Sequence, residues 1–140
     1  MQNQLTPPDP HFILYQDIKT HVAIHVRFEG DEVWLTQLQI ALLFHTTRTN
    51  VAHHIRNIYQ RSELQKERTY EKFSQVQKEG SRTVQRNVAH YNMDMIIAVG
   101  FRVNSAAATQ FRQWVVERRK NVIIEKRQHS INKITKIITS

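Results

Sequence analysis

The segment from Leu35 to Tyr59 reads as two short helices joined by a tight turn, and it constrains the fold more than any other stretch. Thr36 and Gln39 stand at capping-box spacing at the start of the first helix, and Thr47 is an N-cap for the second. Ala41 is small where two helices must cross closely. Ile40, Leu43, Phe44, Val51, Ile55 and Ile58 supply a core face at helical spacing. The other positions of the second helix, Arg48, Thr49, Asn50, Ala52, His53 and Arg56, are polar or small. Most are types that hydrogen-bond base edges and phosphates. A helix-turn-helix is the expectation.

Charge agrees with a polyanionic partner. The net charge is +8, but residues 1–47 hold two basic side chains, Lys19 and Arg27, against five acidic ones. From Arg48 onward there are 18 basic and 7 acidic residues, a net of +11. The excess begins at the expected recognition helix, although many small basic proteins bind no nucleic acid.

Length and composition bound the rest. A chain of 140 residues, 40% hydrophobic, has material for one core and a helical tail. The absence of cysteine removes disulfides, thiolate metal sites and a cysteine nucleophile, and suits a reducing interior. The first ten residues have neither a basic nor an apolar leader pattern, and no run approaches the roughly 18 apolar residues of a membrane span. A cytoplasmic protein without membrane association is expected.

The pattern along the chain predicts an α+β fold: an N-terminal β-hairpin, the helix-turn-helix, a second β-hairpin, and two C-terminal helices around one core. Residues 1–11, with three prolines, read as a disordered lead. Phe12–Tyr15 fits a short strand. In the next strand Val22, Ile24, Val26 and Phe28 alternate with His21, Ala23, His25 and Arg27. Gly30-Asp31 turns the chain into Val33–Leu35. Tyr70–Val76 and Thr83–Tyr91 flank a polar loop containing Gly80, a hairpin signal, and Lys72, Lys78, Arg82 and Arg86 decorate it. Such a ribbon suits a backbone or a minor groove, or is simply a solvated loop. Asn92 caps a helix over Met93–Val99, with Gly100 as its stop. Ser105 caps a longer helix starting at Ala106, whose buried stripe is Ala107, Phe111, Trp114, Val115 and Val122. The domain spans 12–122. Residues 123–140 form an amphipathic basic tail with isoleucines at 124, 131, 134 and 138, expected to dimerise or pack on itself.

Val33-Trp-Leu-Thr-Gln37 and the run from Tyr91 through Gly100-Phe-Arg-Val-Asn-Ser105 to Gln110-Phe-Arg-Gln-Trp114 resemble the RhuM family of virulence-associated proteins. The resemblance spans about residues 12–125. The small-residue helix ending in Phe-Arg-x-Trp is also similar to the Bro-N domains of phage antirepressors and viral DNA-binding proteins. The resemblance implies a mobile-element or phage-linked protein whose domain binds DNA. Two departures stand out. The family places Gly at the inter-helix turn, where a positive φ suits it, whereas this chain has His45-Thr46-Thr47, so an altered turn or degraded groove insertion is expected. Family members also commonly run longer, so a fragment or a minimal form is expected.

Catalytic and metal chemistry is weakly supported. Among eight histidines, His53 and His54 project about 100° apart on a helix, and His21 and His25 are about 13 Å apart on a strand. Only Gly30, Gly80 and Gly100 are present, so there is no glycine-rich phosphate loop, and the acids are scattered. No enzyme, metal or cofactor is expected. The favoured function is sequence-preferring binding of double-stranded DNA, as a homodimer. Thr47, Arg48, Thr49, Asn50 and His53 would face base edges, while Arg56, Arg86, Arg118 and Arg119 would hold phosphates. The alternatives are an antirepressor-like interaction module that binds a repressor or host factor, and a toxin or nuclease component.

Overall fold

A computed structural model describes residues 11–139, except the side chains of residues 122–126 and 139. The expected disordered lead, apart from His11, lies outside the described residues. The elements in order are β1 (Phe12–Asp17), β2 (Val22–Glu29), β3 (Glu32–Leu35), α1 (Gln37–Phe44) and α2 (Arg48–Gln60). There follow α3 (Lys66–Thr69), β4 (Tyr70–Glu79), β5 (Arg82–Asn92), α4 (Met93–Val103) and α5 (Ser105–Thr139). The five strands form one antiparallel sheet in the order β1-β2-β3-β5-β4, so the fold is α+β.

The chain divides into two compact units, one up to Ala108 and one from Thr109. In the first, alternation in β2 buries Val22, Ile24, Val26 and Phe28 on one face of the sheet. Ile40, Ala41, Leu43 and Phe44 of α1 and Val51, Ile55 and Ile58 of α2 are buried, as the helical spacing predicts. Met95, Ile96, Val99 and Gly100 are the buried face of α4.

The other face of β2 is not simply solvated. Arg27 is buried, its guanidinium 5.0 Å from the Phe12 ring and 4.5 Å from the Phe73 ring, with Glu29 at 3.3 Å. Trp34 and His90 also meet Phe73 edge-on, completing a small aromatic cluster around the cation. Burial lowers the His90 pKa, opposed by the ring's hydrogen bond to the Val88 carbonyl.

Three local expectations are corrected. The second hairpin is longer than expected, with only Gly80-Ser81 between β4 and β5, and Gly80 supplies a φ of 64°. Gly100 does not stop α4, which runs on to Val103. A Cβ there would lie 2.5 Å from Phe44 Cζ and 2.8 Å from Ala108 Cβ, so this glycine serves close packing. The cap of α5 is Asn104 rather than Ser105: its side chain accepts from the Ala107 N–H at 3.1 Å, and the helix begins at Ser105.

In α5 the buried positions are Ala108, Phe111 and Val115, while Ala107 and Trp114 are half-buried. Phe111 and Trp114 stack at 5.8 Å within the second unit. The Val122 and Ile124 side chains lie outside the described residues. Ile131, Ile134, Ile137 and Ile138 are exposed.

Candidate nucleic-acid interface

Thr36 and Gln39 form the capping box that starts α1. The Thr36 hydroxyl accepts from the Gln39 backbone N–H at 3.2 Å, and the Gln39 side-chain Oε1 accepts from the Thr36 N–H at 3.0 Å. Gln39 also donates to the His25 carbonyl at 2.9 Å, tying the helix to the sheet. Helix α1 then ends in a turn that keeps the positive φ expected of glycine. His45 sits at φ 58°, ψ 46°, and the N–H groups of His45 and Thr46 reach back to the carbonyls of Leu42 and Ala41. The left-handed position of the turn is therefore kept despite the histidine. Histidine occupies the left-handed position at an energetic cost.

Thr47 caps α2 by accepting from Asn50 N–H at 3.0 Å, and Asn50 donates from its amide to Thr46 Oγ1 at 2.9 Å. These two expected base readers are thus occupied in building the turn. Arg48, Thr49, His53 and Arg56 are exposed. At about 100° per residue they share an arc of about 140° that starts with Arg48 beside the direction of Ile55 and runs away from Val51 and Ile58. His53 Nε2 lies 3.1 Å from the Asn57 amide, while Arg48, Thr49 and Arg56 have no side-chain partner among the described residues. Beside His53, partial burial lowers the His54 pKa, and His53 and Arg102 add to the effect through charge. From Val33 to Ser62 there is no aspartate or glutamate, so nothing acidic on α1, the turn or α2 opposes an anion.

The β4–β5 hairpin reaches the same surface. Arg48 lines a half-open cleft of about 320 Å³ with Gln37, Leu38, Gln75, Gln77 and Val88. Gln75 pairs with Arg86 across the hairpin, which puts Arg86 on the same strand face as Gln75. Arg86 is held by Glu79, with Nε–Oε2 at 3.1 Å and Nη2–Oε1 at 2.9 Å. That bidentate fork is also the one it would offer a phosphate. Sequence reasoning did not bring Gln75 and Gln77 to this cleft, because isolated glutamines in a polar ribbon carry no motif. Arg118 and Arg119 are half-buried in the second unit, and Arg118 Nε is enclosed without a hydrogen-bond partner among the described residues.

No group of three or more histidines and acids is placed to hold a metal ion among the described residues. No described helix is long and apolar enough to cross a membrane. Residues 68–133 match the family profile described as Virulence protein RhuM family. Over that stretch the chain is similar to the RhuM family. The RhuM match takes in the hairpin, α4 and most of α5, and begins after α1 and α2, so Val33–Gln37 lies outside it. No curated protein and no solved structure gives a significant match.

Proposed function

We propose that this chain, similar to the RhuM family over residues 68–133, binds double-stranded DNA with sequence preference, using α1 and α2 as a helix-turn-helix, and serves as a mobile-element or phage-linked regulator in the cytoplasm. The observation that carries the reading is the pair of helices joined by a three-residue turn, with an acid-free outward face of Arg48, Thr49, His53 and Arg56 on the second. Such a helix suits the major groove, where a guanidinium takes a guanine bidentately. Arg56, Arg86, Arg118 and Arg119 hold phosphates in this reading, and the exposed isoleucines of α5 pair two copies into a homodimer. The second reading is an antirepressor-like interaction module, which the histidine in place of glycine at the turn favours.

The test is fluorescence anisotropy on selected and scrambled duplexes across a salt series. Arg48→Ala should cost about 1–3 kcal/mol at the preferred site and leave weak binding to random DNA intact. Changing Arg118 and Arg119 together should weaken all duplexes alike and lower the slope of log affinity against log salt by roughly two. A wild-type protein that binds no duplex at low salt would refute the proposal.

A further inference from the structure

Most polar side chains around the α1–α2 turn have internal partners. Gln37 donates to the Tyr91 hydroxyl at 3.3 Å, and Gln39, Thr47, Asn50, His53 and Arg86 are engaged as described. Gln75, Gln77 and Arg48 are different. They line one cleft, Gln75 and Gln77 are only half-buried, and none of the three side chains has a hydrogen-bond or ion-pair partner among the described residues. Among the described residues no acid lines the cleft. A surface that only gripped phosphate would need cations. Two amides, each a paired donor and acceptor, match an object that offers both on one edge. The major-groove edge of adenine does so through N6 and N7.

We propose that Gln75 and Gln77 of the β4–β5 hairpin are base-reading residues that act together with Arg48, so that one duplex is read by a composite of the α2 N-terminus and a two-stranded ribbon. The inference rests on the DNA reading above and adds the residues that set its preference. Spacing sharpens it. Alternate residues on one strand face are about 6.8 Å apart, which is two base-pair rises of about 3.4 Å. Gln75 and Gln77 therefore address two adenines separated by one base pair, beside the guanine taken by Arg48. The exposed Leu38 and the half-buried Val88 at the rim suit thymine methyl groups.

The experiment is selection from a random duplex library with wild type, Arg48→Ala, Gln75→Ala/Gln77→Ala and Gln75→Glu/Gln77→Glu, followed by anisotropy on the selected duplexes. The wild type should enrich a guanine flanked by the spaced adenines. The double alanine variant should keep the guanine, lose the adenines, and bind the selected duplex roughly five- to a hundredfold more weakly per lost contact. Its affinity for random DNA should not change. The glutamate pair keeps the side-chain shape but repels the duplex, so it should bind neither class. Thermal melts of each variant should match wild type, since both side chains are partly solvated. If the double alanine variant enriches the wild-type motif at wild-type strength, the hairpin does not read bases, and the role of α2 stands. If wild type enriches nothing and binds no duplex, both readings fall together.

Discussion

Gly100→Ala sets two effects of opposite sign against each other. In a helix interior, alanine is favoured over glycine by about 1 kcal/mol, so propensity alone predicts a more stable protein. The surroundings of Gly100 predict the reverse. A new Cβ would stand 2.5 Å and 2.8 Å from two Phe44 ring carbons and 2.8 Å from Ala108 Cβ. Ordinary carbon contacts are about 3.5–4.0 Å, so the neighbours must retreat by about 1 Å. Neither has room, since Phe44 is 1% exposed and Ala108 0%. Overpacking of this kind costs about 1–3 kcal/mol, which exceeds the propensity gain in most of that range. The expected net loss is about 1 kcal/mol, read by calorimetry or circular dichroism as a Tm lower by about 4 °C. Shortening the obstructing ring in a Phe44→Leu background should shrink or reverse the penalty, and the double-mutant cycle should return a coupling energy above about 0.5 kcal/mol. A Gly100→Ala variant that melts higher than wild type would refute the close-packing argument and restore propensity as the governing effect.

Three further expectations follow from the same geometry. His45→Gly should stabilise by about 0.5–1 kcal/mol, because relief of left-handed strain outweighs the extra chain entropy of glycine; a lower denaturant midpoint would contradict this. Burial holds His90 neutral and lowers its folded pKa below the unfolded value of about 6.5. Its contribution to stability is therefore complete above that pH and fades as pH falls through the folded pKa, with His54 acting in the same direction. Melts from pH 7.5 down to 5 should show this decline, and His90→Phe should flatten it; an unchanged slope would locate the effect elsewhere. Replacing the exposed Ile131 and Ile134 by Lys should turn a dimer into a monomer in light scattering at micromolar concentration, and monomers for both proteins would rule out pairing through α5.

Local physics made much of this chain legible from its sequence. Caps and periodicity depend on residues within a few positions of one another. Thr36, Gln39 and Thr47 thus announced two helices, and the spacing of Ile40, Leu43, Phe44, Val51, Ile55 and Ile58 named their buried faces before any coordinates. Alternation in β2 was equally plain, and the run around Tyr91 and Gly100 carried the family resemblance. Other features are properties of approach between distant segments. Gly100 looks like a helix stop until Phe44 and Ala108 close over it, and Arg27 looks solvated until Phe12 and Phe73 flank it. His45 looked unfit for its turn. The helix pair and its two backbone hydrogen bonds hold it at a φ its side chain disfavours. Arg48 shares a cleft with Gln75 and Gln77 although 27 residues or more separate them along the chain, because the sheet returns the hairpin towards the start of α2. Sequence determined which segments fold and which faces they bury. Only tertiary packing decided which polar groups share a cleft, since no local propensity encodes that distance.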